Sequence, residues 1–166
     1  MSSDGFIATD DGDVSWLDEM DIDESASNYD EFFSSVDGLA MGRSTYDFIF
    51  NYGSWPYGGV LTWVFTSKTL ASLKDANLRV TQTVDVFIQE AKAKRMKHIW
   101  LVGGGKLASA FLERGILTNL SITKFPIDLN VGIPLFSDHN LENIRSAKME
   151  SIQKQGYKQI EILLEE

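Results

Sequence analysis

Three short segments of this chain carry the residue types that bind phosphate groups. They are residues 41–45, 65–68 and 102–106. Each combines small or hydroxyl side chains with one cation, namely Arg43, Lys68 or Lys106, and each follows a short apolar run. A strand that leads into the exposed N–H groups of a helix N-terminus is a ready anion site. The three segments together predict a ligand with several phosphate groups.

Each segment also has a simpler interpretation, as a helix N-cap or a turn beside a cation that faces solvent. Three considerations favour phosphate. Glycine lets the backbone approach a ligand closely, and three consecutive glycines exceed what a tight turn needs. Arginine offers a planar fork of donors. A charge-assisted hydrogen bond is also stronger than a neutral one.

An alternation of strands and helices must position these segments. Apolar runs predict strands at residues 38–41, 60–66, 77–81, 99–102 and 120–125. Helical spacing predicts helices at residues 24–35, 44–50, 83–94 and 106–114. Thr83 is the predicted N-cap of the third helix, and Gly115 closes the fourth. Residues 4–24 are predicted to form a loop.

This order favours an α/β fold with a mainly parallel sheet. Extended runs at residues 144–153 and 157–164 flank Gln155 and Gly156, and they predict an antiparallel hairpin at the C-terminus. The predicted sheet is therefore mostly parallel but mixed. With 166 residues, the chain is expected to form one domain over residues 1–166.

Charge and cysteine content limit the function classes. A net charge of −9 disfavours binding to nucleic acid or to anionic lipid. The sequence has no apolar stretch long enough to cross a membrane, and no basic-then-apolar N-terminal pattern predicts secretion. It contains no cysteine, which excludes disulfides and thiolate metal sites and fits a cytoplasmic protein.

The sequence predicts no metal site. Its two histidines, His98 and His139, lack a ligand spacing. The acidic cluster within residues 10–24 lacks the pattern of an EF-hand loop, so a solvated loop is the preferred interpretation.

Five motifs in order resemble the dihydrofolate reductase-like superfamily. They are SDGFIA (3–8), MGRSTY (41–46), VFTSK (64–68), IWLVGGG (99–105) and PIDLNVGIPLF (126–136). The resemblance is closest to the branch that includes the C-terminal reductase domain of bacterial riboflavin biosynthesis enzymes. It implies the three-layer fold of that superfamily and NADPH as hydride donor. Relatives often dimerise, so a homodimer is a further expectation.

The resemblance also implies roles for the phosphate segments. The first two segments would hold the adenosine 2′-phosphate end of NADPH, and the third would receive the pyrophosphate. The implied cofactor-binding residues are Gly42, Arg43, Ser44, Thr45, Thr66, Ser67, Lys68, Gly103, Gly104, Gly105, Lys106 and Leu107. Ile7 and Ala8 would flank the nicotinamide.

Two departures from the superfamily bear on the substrate. Relatives carry an apolar strand before the first motif, whereas this chain starts at Met1, so that strand is expected to be absent or truncated. Dihydrofolate reductases place a carboxylate on the first helix, and the corresponding position in this chain lies near Ala26. Folate reduction is therefore not the preferred function.

Asp4 is the candidate catalytic acid, although an Asp-Gly pair is more often a turn signal. Aromatic side chains stack on flat heterocycles, and Thr123 matches a pocket-side threonine in relatives. The tentative substrate-binding residues are Trp16, Phe33, Phe48, Trp55 and Thr123. Each has a structural alternative, as a core residue, a surface aromatic or a strand former.

The resulting prediction is an NADPH-dependent reductase of a small nitrogen heterocycle. The nearest named activity is reduction of 5-amino-6-(5-phosphoribosylamino)uracil. Dihydrofolate reductase is the second prediction, and a nucleotide-binding protein without turnover is the alternative from another class.

Overall fold

The computed structural model describes residues 1–20, 29–136, 144 and 148–164. Contacts divide the chain into a central unit, Ser27–Leu107, and a terminal unit, Met1–Ala26 with Ala108–Glu166. The central unit contains parallel strands and helices, and the terminal unit contains antiparallel strands. The predicted α/β class is therefore confirmed.

The described residues form short strands and helices. In chain order, the strands are β1 (Phe6–Ala8), β2 (Gly38–Gly42), β3 (Leu61–Phe65), β4 (Leu78–Thr81), β5 (Ile99–Gly103), β6 (Asn119–Lys124), β7 (Ile133–Pro134), β8 (Lys148–Lys154) and β9 (Tyr157–Leu163). The α-helices are α1 (Tyr29–Ser34), α2 (Arg43–Asn51), α3 (Val84–Ala93) and α4 (Gly105–Glu113). A short 3₁₀ helix spans Ser15–Leu17. No helix in the described ranges is long and apolar enough to cross a membrane.

The central unit has a four-stranded parallel sheet in the order β4-β3-β2-β5. Gly42 at the end of β2 lies opposite Phe65 of β3, and Met41 lies opposite Gly103 of β5. Parallel strands place all their carboxyl ends at one edge. The ends of β2, β3 and β5 are therefore neighbours along that edge.

Two sets of side chains hold helices against this sheet. On one face, Leu39, Met41 and Val64 form a buried cluster with Tyr46 of α2. The fully buried Trp63 packs edge-to-face on Phe87 of α3, with ring centroids 5.3 Å apart. With helices packed against the sheet, residues Gly38–Met41 of β2 are buried on both faces, as expected of a central parallel strand.

Glu90 ties α3 to β3 and β4. Its Oε2 accepts hydrogen bonds from Arg79 Nε at 2.6 Å and from the Trp63 indole N–H at 2.8 Å. Arg79 Nη2 donates to Oε1 at 2.7 Å. These bonds, chiefly those from Arg79, lower the pKa of Glu90 to about 2. The N-cap prediction is also confirmed, since the Thr83 side chain accepts from Val86 N–H at 3.3 Å.

The terminal unit contains a three-stranded antiparallel sheet in which β9 lies between β6 and β8. Lys154 pairs with Tyr157 across the Gln155-Gly156 turn, so the predicted C-terminal hairpin is confirmed. Ile160 and Ile162 are its buried residues on one face. Within the described residues, these strands and the parallel strands belong to separate hydrogen-bonded sheets.

The sequence did not predict β1, which lies inside the expected loop. This strand pairs antiparallel with β7, and Phe6 lies opposite Pro134. A Cβ on Gly132 would lie 2.3 Å from the carbonyl oxygen of Ala8, so only glycine fits there. A three-residue strand with a partner distant in the sequence has no local periodic signal. The predicted start of the first helix, Ala26 and His139 lie outside the described residues.

Candidate phosphate-binding site

The first and third phosphate segments are in contact at the carboxyl edge of the parallel sheet. A Cβ on Gly42 would lie 3.8 Å from Gly104 N and 3.9 Å from Gly103 O. A Cβ on Gly103 would lie 3.3 Å from Thr45 Oγ1. The Gly103–Gly104 peptide bond is cis. A Cβ on Gly103 would thus be tight against Thr45, whereas a Cβ on Gly42 would make only ordinary contacts.

The second segment is joined to the first by Arg43. Its Nη1 donates to the backbone oxygen of Thr69 at 3.3 Å. Thr69 directly follows Thr66, Ser67 and Lys68, which leave the end of β3. Three turns that are well separated in the sequence therefore meet at one edge because their strands are parallel neighbours.

This edge carries hydrogen-bond donors that the described residues do not use. Helix α2 begins at Arg43, and its N-cap, Gly42, provides no side-chain hydrogen bond. In the same region, the side chains of Lys68 and Lys106 are exposed and have no ion-pair partner among the described residues. Exposed N–H groups at a helix start, together with cations, attract anions. The described ranges contain no group of side chains that could hold a metal ion.

Asp47 accepts hydrogen bonds from part of the Arg43 guanidinium. Arg43 Nε donates to both carboxylate oxygens of Asp47, at 2.7 and 2.8 Å. Asp47 was not among the predicted site residues, although opposite charges four residues apart on a helix are a recognisable signal. Arg43 is therefore not the free fork of donors that its residue type suggests.

The structure places two of the predicted substrate-binding aromatics beside Tyr57. The Phe33 and Tyr57 ring centroids are 6.2 Å apart, and those of Trp55 and Tyr57 are 5.1 Å apart. Burial raises the pKa of Tyr57 to about 12. The Trp55 indole N–H donates to Gly58 O at 3.0 Å. Phe48 does not join this cluster, since it is exposed and pairs with Tyr52 on the surface of α2.

Asp4 anchors a turn in the terminal unit. Its Oδ1 accepts from Ser2 Oγ at 2.6 Å and from Leu129 N–H at 3.2 Å, and its Oδ2 accepts from Asn130 N–H at 2.7 Å. The hydrogen bond from Ser2 is the largest cause that lowers the pKa of Asp4, and the two backbone N–H groups add to it. A carboxylate stabilised in its charged form is a poor proton donor. This arrangement favours the turn role over the catalytic role predicted for Asp4.

The other predicted residues of the terminal unit lie on three elements. Ile7 and Ala8 belong to β1. The hydroxyl of Thr123 in β6 donates a hydrogen bond to Gln159 Oε1 at 2.8 Å. Trp16 is buried edge-to-face against Phe125, and its indole N–H has no partner among the described residues. Their predicted contacts with nicotinamide and substrate stay predictions.

Comparisons with known proteins find relatives that cover most of the chain. Residues 54–158 match the RibD C-terminal domain family. The uncharacterized protein YwjB of Bacillus subtilis (strain 168) is 30% identical over 157 residues, which cover 94% of this chain and 88% of YwjB. YyaP of the same organism is 25% identical over 149 residues, covering 83% of this chain and 77% of YyaP.

Solved structures extend the similarity. A Shewanella sp. PV-4 protein, assigned by its name to riboflavin biosynthesis, superposes with a TM-score of 0.79 at 26% identity, covering 100% of this chain and 96% of its own. Acinetobacter baumannii RibD superposes with a TM-score of 0.71 at 13% identity, over 98% of this chain and 55% of that chain. This chain therefore spans about half the length of that RibD. The likeness at 13% shows the fold alone.

The chain belongs to the RibD C-terminal domain family. The predicted family, within the dihydrofolate reductase-like superfamily, is thus confirmed. The match includes the second and third phosphate segments, whereas Gly42, Arg43, Ser44 and Thr45 precede the matched residues. In this RibD-like chain, the contact of the first segment with the other two is seen in the structure and not in the family match.

Proposed function

We propose that this protein is an NADPH-dependent reductase of a small nitrogen heterocycle, most like 5-amino-6-(5-phosphoribosylamino)uracil. The proposal is carried by three turns that meet at one sheet edge, each with a cation and two of them with glycines. Open α/β sheets bind ligands at the carboxyl ends of their strands. Membership of the RibD C-terminal domain family supports reductase chemistry.

The residues at this edge divide by the phosphate that each would hold. Arg43, Ser67 and Lys68 would bind the adenosine 2′-phosphate, where a cation distinguishes NADPH from NADH. The backbone of Gly103 and Gly104 and the start of α4 would receive the pyrophosphate. Ser44, Thr45, Thr66, Gly105, Lys106 and Leu107 complete the proposed contacts.

The substrate choice is supported by residue chemistry and by the family. Phe33 and Trp55 are half-buried and pack beside Tyr57, and we propose that their remaining exposed surface contacts a flat heterocycle. A structural neighbour from Thermotoga maritima, at 13% identity and a TM-score of 0.71, is named as a deaminase and 5-amino-6-(5-phosphoribosylamino)uracil reductase. The reductase half of that name suggests the substrate class proposed for this protein.

The protein's share of the reaction is binding, orientation and a proton route. The bound nicotinamide would supply the hydride. Because Asp4 is held in its charged form, we propose that the proton comes from water or from the substrate itself. We also propose that Ile7 and Ala8 flank the nicotinamide. The protein is further proposed to be a cytoplasmic homodimer.

Gly42→Ala tests the proposed cofactor site. Its Cβ would make only ordinary contacts, at 3.8 Å or more, so the free protein should fold normally. The added methyl group would stand where the backbone must approach phosphate, and NADPH affinity should fall by about tenfold or more. Calorimetric titration with NADPH measures the change. Gly59→Ala is the matched control, because a Cβ there meets no atom within 4 Å.

Turnover then separates the enzyme from its alternatives. NADPH consumption, followed at the nicotinamide absorbance band, should occur with 5-amino-6-(5-phosphoribosylamino)uracil and not with dihydrofolate. Consumption with dihydrofolate instead would establish the second prediction. Binding without consumption of either substrate would favour a nucleotide-binding protein without turnover, a candidate supported by the engagement of Asp4 in its turn. Wild-type protein that binds no NADPH would refute the proposal.

A further inference from the structure

Helix stability alone does not favour an arginine at position 43. Arg43 is the first residue of α2, and the positive end of a helix dipole disfavours a cation there. Its partner, Asp47, follows four residues later, whereas the more stabilising order of a helical ion pair places the acid before the base. The pair therefore runs against the dipole. This order suggests that the arginine serves a ligand.

Two contacts fix the plane of the guanidinium. Both carboxylate oxygens of Asp47 hold Nε, at 2.7 and 2.8 Å, and Nη1 reaches Thr69 O at 3.3 Å. Within the part of the chain that the structure describes, Nη2 has no hydrogen-bond partner. Nε and Nη1 are thus engaged, whereas Nη2 keeps its donors.

We propose that Asp47 is a positioning residue that sets the preference for NADPH over NADH by holding Arg43. The inference rests on the proposed function. Asp47 orders the long Arg43 side chain before the ligand arrives. The Nη2 donors, which have no partner among the described residues, are then held in place, and the 2′-phosphate binds without that ordering cost.

Asp47 could also act in the opposite direction, because its negative charge repels phosphate. Asp47→Asn distinguishes the two effects. Asparagine keeps the shape and one acceptor oxygen but removes the charge. Positioning predicts a small loss of NADPH preference in the asparagine variant and a larger loss in Asp47→Ala. Repulsion predicts that both variants prefer NADPH more strongly than the wild type.

The experiment measures dissociation constants for NADPH and NADH by calorimetric titration. The readout is the preference for NADPH, the dissociation constant for NADH divided by that for NADPH. A general loss of stability does not change this ratio. Asp47→Ala should reduce the preference for NADPH by roughly three- to fivefold, the strength of an exposed ion pair. Arg43→Ala should reduce it by about tenfold or more, since it removes a charge-assisted bond. Adenosine 2′,5′-bisphosphate and AMP repeat the comparison without the nicotinamide.

A double variant tests whether Asp47 acts through Arg43. In the Arg43→Ala background, Asp47→Ala should leave the ratio unchanged. Asp85→Ala is the matched control, because it removes an exposed carboxylate from the first turn of α3 and should leave the ratio at the wild-type value. Alanine is the best helix former, so α2 should persist in these variants, and thermal unfolding checks this.

The possible failures are distinguishable. Wild-type protein that binds neither nucleotide would overturn the proposed function and this inference together. Wild-type protein that binds NADPH, with an unchanged or increased ratio in Asp47→Ala, would overturn only the inference. An effect of Asp47→Ala that persists without Arg43 would also overturn it, because Asp47 would then act on the nucleotide directly.

Discussion

The carboxyl edge of the parallel sheet and the turn around Asp4 use polar groups in opposite ways. In the Asp4 turn, the carboxylate accepts three hydrogen bonds from Ser2, Leu129 and Asn130. At the sheet edge, the side chains of Lys68 and Lys106 have no ion-pair partner among the described residues. Both regions show a charged residue within a glycine-containing motif in the sequence, yet only one leaves its charges available.

The difference shows how to separate scaffold from binding site. Polar groups that are fully satisfied within the protein stabilise a turn and have little left for a ligand. Unused donors beside glycines, at the start of helices, are arranged for an external anion. By the same criterion, the Thr123 hydroxyl is already engaged within the protein, because it donates to Gln159 Oε1 at 2.8 Å.

The largest effect is expected where the terminal scaffold allows no side chain at all. Gly132→Ala should destabilise the protein by about 3 kcal/mol, because its Cβ would lie 2.3 Å from the Ala8 backbone oxygen and would push β1 from β7. Urea denaturation measures the free energy of unfolding. Gly59→Ala, whose Cβ would meet nothing, should be close to wild type. Equal stability of the two variants would contradict the role given to Gly132.

The Glu90 network extends the comparison to a satisfied cluster in the central unit. The pKa of the Glu90 carboxyl is lowered to about 2, so folding is stabilised while Glu90 is charged. This contribution is fully present above the unfolded pKa of about 4.5 and is lost as pH falls toward 2. Glu90→Gln should lower the unfolding midpoint at pH 7 and weaken the acid dependence. Parallel wild-type and variant curves between pH 6 and about pH 2 would refute this prediction.

Lys68→Ala tests the open edge directly. We expect NADPH affinity to fall by about tenfold, because a charge-assisted contact is lost, while the free energy of unfolding stays within about 0.5 kcal/mol. Lys92→Ala, at the end of α3, is the control with the same change of charge. Titration and urea denaturation of both variants provide the comparison. A loss of stability without a loss of affinity would place Lys68 in the scaffold.

Asp4→Asn should have the smallest effect on turnover. Its lowered pKa means that the charged form stabilises the fold above the unfolded pKa of 3.8, and this stabilisation disappears as pH falls below that value. The variant should therefore be somewhat less stable at pH 7 but should keep reductase activity. NADPH consumption by the folded variant measures this. Complete loss of turnover would restore the catalytic role predicted for Asp4.

Local sequence patterns were sufficient to predict most helices and strands and to predict that the three phosphate segments follow strands. Thr83 is the N-cap that its position predicts, and Gly115 ends α4 with a φ of +62°. Helical spacing and apolar runs are local properties of the sequence, so they transfer well. The pairing of β1 with β7 has no such signal, because it depends on residues distant in the chain.

Which residues are available for a ligand was decided only by tertiary structure. The sequence determined that Arg43, Lys68 and three glycines follow strands, and parallel pairing brought these strand ends to one edge. In the folded protein, Asp4 is engaged by hydrogen bonds within its turn, and Asp47 is hydrogen-bonded to Arg43. Lys68 has no ion-pair partner among the described residues. Residue type determines what a side chain can donate or accept, whereas its neighbours in space determine what remains for a ligand.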